Sequence, residues 1–285
     1  LTHDTFGDPE HVLTVTERPT PEPGPGQVRL KIVLSPIHNH DLWTIRGTYG
    51  FKPELPAASG TEALGIVDAL GEGVDSLAVG QRVATGGTFG AWAEYVVANA
   101  AGLIPVPESL SDESAAQLVS MPFSTISLLE FLGAEKGDWI VQNAANGAVG
   151  RMLAQLGAAR GVNVIGLVRR SAGVDELREQ DIENVVSTDD DGWREQVAEI
   201  TGGAHIAFGI DSVGGSSAGD VLSLLGEGGT LVAFGAMNSP TMEIASGDVI
   251  FKQATVKGFW GSKVIQTMDA ATPVSYTHLT LPTKA

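Results

Sequence analysis

The residues that decide the fold lie near the middle of the chain and read Trp139-Ile140-Val141-Gln142-Asn143-Ala144-Ala145-Asn146-Gly147-Ala148-Val149-Gly150, continuing into Arg151-Met152-Leu153-Ala154-Gln155-Leu156. The first residues are typical of a buried strand, and Val149, Leu153 and Leu156 share one face of a predicted helix. A tight turn of small residues connects the two. Such a turn lets the N–H groups at the helix start approach a pyrophosphate, with Gly147 able to take a positive φ.

The rest of the chain divides into two parts that differ in the spacing of their apolar residues. From about residue 137, apolar runs such as Val162–Val168 alternate with helical stretches, which indicates a parallel sheet covered on both faces. Residues 1–120 instead carry short β-branched runs cut by Gly and Pro, including 28–33 and 92–97, and these favour a mostly antiparallel β domain. We expect domains at 1–120 and 121–270. Residues 271–285 match neither of these two patterns and are expected to be a non-native tail.

Composition narrows the classes of partner. Hydrophobic residues make up 43% of the 285, and the formal net charge is −17, which would repel nucleic acid and anionic membrane surfaces. No apolar run approaches the ~20 residues of a spanning helix. No basic segment followed by an apolar one opens the chain, so a soluble, cytoplasmic protein is expected. Without cysteine, metal ligands could come only from the six histidines and the carboxylates.

The strand 162–168 ends at Arg169, Arg170 and Ser171. In dinucleotide-binding folds this position lies near the adenosine ribose, and an acidic residue there accepts the 2′-hydroxyl of NAD. Two cations and a hydroxyl in an acidic chain instead suit a 2′-phosphate, so NADPH is the favoured cofactor. The alternative is that both arginines are solvated residues at a helix start.

Several motifs in order resemble those of the medium-chain dehydrogenase/reductase superfamily, in particular its zinc-free 2-enoyl thioester reductases and quinone reductases. They are Gly47-Thr48-Tyr49-Gly50, Asn143–Gly150, Asp211-Ser212-Val213-Gly214-Gly215, Phe234-Gly235-Ala236-Met237, Ile250-Phe251-Lys252 and Gly258-Phe259-Trp260. The resemblance implies an α/β protein. A GroES-like, mostly-β catalytic domain would occupy 1–120, lacking its C-terminal return, and a Rossmann domain with a doubly wound parallel sheet would occupy 121–270.

The resemblance also bears on zinc. Zinc-dependent relatives place their ligands where this chain has His38, Thr61 and Met121, so one potential ligand survives and no metal is expected. His38 and His40 are interpreted as loop histidines. Asp41 and Glu62 are expected to hold loops through hydrogen bonds.

The chemistry that the resemblance implies is NADPH-dependent reduction of the C=C bond of a 2-enoyl thioester. Tyr49 would help to donate the proton, because a phenol is protonated at neutral pH; a surface turn residue is the alternative. The cofactor would contact Met121, Asn146, Gly147, Ala148, Val149, Arg169, Arg170, Ser171, Phe234, Gly235, Ala236, Met237, Phe259, Trp260 and Gly261. For Phe259 and Trp260, core or dimer packing stays open.

Three other functions stay open. One is NADPH:quinone reduction, which needs no protein acid at Tyr49. Another is a zinc-free reductase of a different activated carbonyl or alkene, and the last is a cofactor-binding protein that has lost catalysis. Resemblance also implies a homodimer that pairs through the late strand around Thr255–Phe259.

Overall fold

The computed structural model describes residues 1–264, and the chain divides into two units between Met121 and Pro122. In the first unit, strands β2, β4, β5, β6 and β7 form an antiparallel sheet in the order β6-β2-β4-β5-β7, and β1 pairs with β3. The strands are β1 (Thr2–His3), β2 (Gln27–Leu34), β3 (Ala57–Ala58), β4 (Glu62–Leu70), β5 (Arg82–Gly86), β6 (Tyr95–Asn99) and β7 (Ile104–Pro105). The helices are α1 (Pro9–Val12), α2 (Asn39–Arg46) and α3 (Asp112–Ala115), with a 3-10 turn at Ala100–Gly102.

Alternation along the strands builds the core of this sheet. Val28 and Leu30 on β2 are fully buried and pack with Val67, Val83 and Val96 from the neighbouring strands, as a sheet with one apolar face requires.

One strand begins later than the sequence predicts. The run at 92–97 contributes only from Tyr95, because the N–H of Trp92 donates to the carbonyl of Ser59 at 3.0 Å and its indole donates to that of Pro36 at 3.0 Å. A tryptophan held in a turn cannot extend the strand.

The second unit is a layered α/β structure. Its six described strands are all parallel, in the order β10-β9-β8-β11-β12-β13. They are β8 (Trp139–Gln142), β9 (Asn163–Val168), β10 (Val185–Ser187), β11 (Ile206–Asp211), β12 (Thr230–Ala233) and β13 (Thr255–Gly258). The helices are α4 (Ser120–Leu132), α5 (Ala148–Arg160), α6 (Ser171–Arg178), α7 (Trp193–Thr201), α8 (Ser216–Leu224), α9 (Ser246–Phe251) and α10 (Gly261–Val264).

Both faces of this sheet are buried. Neighbouring residues Ile140 and Val141 on β8 are each fully buried, and they pack into different apolar clusters, one with Leu153 of α5 and the other with Val221 of α8. The strand order runs outward in both directions from β8 and β11, which makes their carboxyl ends the switch point of a doubly wound sheet. The fold class predicted from the sequence is confirmed.

The first unit also buries a histidine. His3 on β1 is 1% exposed, its Nδ1 lies 3.3 Å from the hydroxyl of Ser59, and its Nε2 has no hydrogen-bond partner within residues 1–264. Burial lowers the pKa of His3, and the nearby charge of Asp4 only partly opposes this. Folding therefore favours the neutral imidazole.

Acid should destabilise the protein partly through His3. Its folded pKa lies below that of the unfolded chain, so the unfolded state takes up a proton first as the pH falls through about 6.5. Urea unfolding at several pH values between 7.5 and 5 should show a smaller loss of unfolding free energy for His3→Leu than for the wild type. The exposed His11, as His11→Gln, is the control. Identical pH dependence in wild type and His3→Leu would contradict the assignment.

Candidate active site

The turn between β8 and α5 has the tight geometry expected for a phosphate loop, but the glycine requirement lies elsewhere than predicted. Gly147 has φ −75°, so the predicted use of a positive φ there is wrong, and Ala144 takes the positive φ of 50°. At Gly150 a Cβ atom would lie 2.7 Å from the carbonyl oxygen of Ala145 and 2.8 Å from that of Ala144. Close approach of helix to loop, rather than backbone conformation, is what demands glycine in this motif.

The start of α5 offers N–H groups to a ligand. Gly147 is its N-cap and supplies no side-chain cap, so the first-turn N–H groups have no intrahelical partner. Asn146, Gly147 and Ala148 are exposed and Val149 is half-buried. The amide of Gln142 donates to the carbonyl of Gly150 at 2.7 Å, which fastens strand to helix.

A buried polar pair connects the carboxyl ends of the two central strands. The amide nitrogen of Asn143 donates to Asp211 at 2.6 Å, and its amide oxygen accepts the N–H of Ser212 at 2.7 Å. The Asp211 carboxylate also accepts the N–H groups of Val213 and Gly214, each at 3.0 Å. Both side chains are at most 4% exposed, and the bonds of Asp211 to Asn143 and to Gly214 are buried, so losing either bond in this low-dielectric setting is costly.

The residues that follow β9 are exposed and lie beside an acidic run that the sequence interpretation overlooked. Neither Arg169 nor Arg170 makes an ion pair within the described residues. The hydroxyl of Ser171 donates to Asp190 at 3.0 Å, and the N–H of Asp189 donates to the carbonyl of Arg169 at 3.2 Å. The sequence feature that could have indicated these acidic neighbours is the run Asp189–Asp191, which follows the short strand β10.

The two later segments of the predicted cofactor site differ in burial. The N–H groups of Phe234 and Gly235 donate to the carbonyl of Asp211 at 2.7 and 3.1 Å, while Met237 is 56% exposed. Ala236 and Gly261 are half-buried. The ring of Phe259 is 8% exposed and lies 5.3 Å from that of Phe131, edge to face, and 5.6 Å from that of Phe234. Phe259 thus follows the core-packing interpretation, and Trp260 beside it is half-buried.

In the first unit, helix α2 fixes the position of Tyr49. The helix begins at His38, whose N–H donates to Asp41 at 3.0 Å, and it ends at Gly47, which takes the left-handed φ of 72°. The N–H groups of Thr48 and Tyr49 then donate to the carbonyl of Trp43 at 3.0 and 3.2 Å. This C-terminal turn sets the half-buried Tyr49 with its ring 6.0 Å from that of His40.

The acids near α2 hold the backbone together, as expected. One oxygen of Glu62 accepts the N–H groups of Val119 and Ser120 at 2.7 and 2.8 Å, and the other lies 2.5 Å from Nε2 of His38. His40 lies in the first turn of α2 rather than in a loop, and His38 is the residue that caps this helix, with its N–H bonded to Asp41. Their rings stack at 5.1 Å.

At the two other positions predicted to correspond to zinc ligands of related enzymes, the hydroxyl of Thr61 donates to Asp41 at 2.8 Å, and half-buried Met121 lies in the first turn of α4. No group of three or more metal-binding side chains is arranged for a metal ion within residues 1–264. Among the helices of the same residues, none combines the length and apolar character that crossing a membrane requires.

Comparison with known proteins agrees with this architecture. Residues 24–108 match the alcohol dehydrogenase GroES-like domain, and residues 148–275 match the zinc-binding dehydrogenase family. The mitochondrial enoyl-[acyl-carrier-protein] reductase of Arabidopsis thaliana is 31% identical over 266 residues, covering 91% of this chain and 71% of that protein.

Two solved structures extend the likeness. A quinone oxidoreductase from Pseudomonas syringae has a TM-score of 0.80 at 28% identity, covering 93% of this chain and 82% of its own. A mycobacterial protein solved with NADPH has a TM-score of 0.81 at 26% identity, covering 100% and 91%. The chain belongs to the medium-chain dehydrogenase/reductase superfamily of oxidoreductases, in the branch that holds enoyl thioester reductases and quinone reductases.

The loop geometry predicts which glycine is indispensable. Gly150→Ala should lower the free energy of unfolding by about 1–3 kcal/mol, because the new methyl group overlaps two backbone carbonyls that cannot rotate away. The matched control is Gly147→Ala, where the nearest atom is 3.2 Å from the added Cβ and the cost should stay below about 1 kcal/mol. Denaturant unfolding checks both variants, and an equal or reversed order of cost would contradict the geometry.

Proposed function

We propose that this protein is an NADPH-dependent reductase of 2-enoyl thioesters and that Tyr49 is its proton donor. The observation that carries the proposal is the fixed position of Tyr49, directly after the left-handed end of α2 and beside the ring of His40. The Arabidopsis relative named as an enoyl-[acyl-carrier-protein] reductase supports the substrate class. Substrate carriers that fit this proposal are coenzyme A and acyl carrier protein, and the pathway is fatty acid metabolism.

The residues of the β8–α5 loop fit a nicotinamide dinucleotide. Close packing at Gly150 and the uncapped start of α5 leave backbone N–H groups for a pyrophosphate. When bound, the cofactor supplies a hydride to the β-carbon of the enoyl group. The other residues predicted to contact the cofactor, of which Met121 is the first and Gly261 the last along the chain, are proposed as cofactor contacts here as well.

The protein's own groups have two tasks in this reaction. Negative charge grows on the thioester oxygen as hydride arrives, and hydrogen-bond donors must stabilise it. The phenol of Tyr49 then supplies the proton that the α-carbon needs, because a phenol O–H is a donor at neutral pH.

The Tyr49 role can be tested by removing one oxygen atom. Tyr49→Phe should lower kcat for a trans-2-enoyl thioester by about 10²–10⁴-fold while NADPH affinity stays within twofold, since general acid catalysis contributes about that much. Stopped-flow or steady-state oxidation of NADPH measures the rate, and fluorescence titration measures the affinity. Tyr95→Phe, on strand β6, is the matched control. Unchanged kcat in Tyr49→Phe would remove Tyr49 from the mechanism.

Quinone reduction is the second candidate, favoured by the likeness to the Pseudomonas syringae quinone oxidoreductase. The same Tyr49→Phe substitution separates the two, because a quinone accepts hydride without a protein acid on carbon. A quinone reductase would keep its rate in this variant and would leave the enoyl thioester unreduced.

The preference for NADPH over NADH is proposed from charge. Arg169 and Arg170 are exposed and make no ion pair within the described residues, in a chain of formal charge −17. Their guanidinium groups are therefore available to bind the 2′-phosphate of NADPH. The mycobacterial structure that holds NADPH supports this choice.

Cofactor preference gives a direct measurement. Arg169→Ala combined with Arg170→Ala should weaken NADPH by about 10–100-fold and NADH by less than threefold, because a hydrogen bond to a charged group contributes about 1.5–3 kcal/mol. Asp190→Asn, which removes a carboxylate beside Ser171, should move NADPH affinity the opposite way. Calorimetric titration with each nucleotide reports both. Equal weakening of NADPH and NADH would show that no 2′-phosphate binds there.

A homodimer is proposed through β13. This strand pairs only with β12 within residues 1–264, and Ile250 and Phe251 before it are 57% and 84% exposed. The cytoplasmic location predicted from the sequence stays a prediction, and the Arabidopsis relative, named as mitochondrial, gives the alternative compartment.

A further inference from the structure

A hydrogen-bonded chain runs from Asp41 to the histidine beside Tyr49. Nε2 of His40 lies 2.8 Å from the hydroxyl of Thr61, and that hydroxyl donates to Oδ1 of Asp41 at 2.8 Å. Asp41 is 3% exposed, and its second oxygen accepts the N–H of His38. Thr61 lies in the loop directly before β4, and the other two side chains lie on α2.

This chain fixes the tautomer of His40. A threonine hydroxyl has one proton, and here that proton goes to a carboxylate, which can only accept. The hydroxyl oxygen must then accept from Nε2–H of His40. The neutral imidazole therefore carries its proton on Nε2 and leaves Nδ1 as a proton acceptor.

The surroundings of His40 favour its neutral form. Burial lowers the pKa of His40 as the largest cause. The charge of Asp41 raises it, a charge on His38 lowers it further, and Glu62 raises it. Tyr49 faces the ring from beyond the end of α2, and His38 stacks on it from the start of that helix.

We propose that His40 is a positioning residue for Tyr49 that returns a proton to the phenol after each turnover. This inference rests on the proposed function. The O–H proton of Tyr49 goes to the substrate α-carbon and leaves a phenolate. Nδ1 of His40 takes a proton from solvent, and the resulting imidazolium gives it to the phenolate oxygen, directly or through one water. One solvent proton is consumed per enoyl group reduced, and both side chains end in their resting state.

The neighbouring groups suit this cycle. An imidazolium at His40 would keep its Nε2–H bond to Thr61, and the Asp41 carboxylate, 3.7 Å from Nε2, would stabilise the new charge. The phenolate beside it favours protonation of Nδ1 only after Tyr49 has given up its proton. The relay therefore works at the step that needs it.

A double-mutant cycle tests the role through Tyr49. His40→Gln retains an N–H donor for Thr61 but cannot carry a proton, so kcat should fall at least tenfold with KM for the enoyl thioester within twofold. In the Tyr49→Phe background the same substitution should change kcat less than twofold, because no phenolate then needs a proton. His11→Gln, an exposed histidine on α1, is the control. Unchanged kcat in His40→Gln, or an equal fall in both backgrounds, would overturn the proposal.

Chemical rescue separates proton return from packing. His40→Ala should regain kcat as imidazole is added, and the gain should follow the concentration of the protonated buffer species. A purely structural role for His40 predicts no dependence on imidazole, and that result would overturn the proposal.

A measurement without substrate completes the test. Nitrogen-15 NMR of labelled histidines should find His40 with its proton on Nε2 at pH 7. Thr61→Val should redistribute the tautomers, and Thr61→Ser should restore Nε2–H. A resting Nδ1–H tautomer would overturn the relay even in an active enzyme. A wild type that reduces no enoyl thioester would overturn the proposed function and the relay with it, whereas loss of activity in Tyr49→Phe without loss in His40→Gln would overturn the relay alone.

Discussion

The buried bond between Asn143 and Asp211 is the interaction on which the second unit depends. It joins the carboxyl ends of β8 and β11, where the order of the parallel sheet reverses, and the Asp211 carboxylate also orders the backbone of Val213 and Gly214. A buried carboxylate that lost these donors would carry an unpaired charge, which is among the most destabilising changes in a protein interior. The network therefore joins the loop after β8 to the loop after β11 at the switch point.

The parallel direction of the strands places the other features of the candidate cofactor site at the same edge of the sheet. The carboxyl ends of parallel strands meet at the same edge, so the turn before α5, the arginines after β9 and Gly235 after β12 all follow from the register of the strands. In the first unit a similar logic applies on a smaller scale, where the Asp41 cap at one end of α2 and the left-handed Gly47 at the other determine where Tyr49 lies.

The sequence predicted what depends on local pattern. Apolar runs located β8, β9, β11 and β12, and the small residues of 143–150 located the turn, because both signals lie within a few residues. The three-residue strand β10 was not predicted. The pairing of Asn143 with Asp211, 68 residues apart, depends on which strands become neighbours, and no local pattern encodes it. The bond between His40 and Thr61 has the same origin. The position of the positive φ in this turn was also mispredicted. Glycine tolerates a positive φ most easily, which pointed to Gly147, but Ala144 is the residue that adopts it.

In the proposed reaction a hydride from NADPH reaches the β-carbon of an enoyl thioester, and a solvent proton reaches the α-carbon. Both atoms can be located by reducing a trans-2-enoyl thioester with NADPH that carries two deuterium atoms at C4 of the nicotinamide and analysing the product by mass spectrometry and NMR. The product should carry one deuterium at the β-carbon and, in heavy water with unlabelled NADPH, one at the α-carbon. A wild-type enzyme that oxidises NADPH with a quinone but leaves the thioester unlabelled would contradict the proposed reaction.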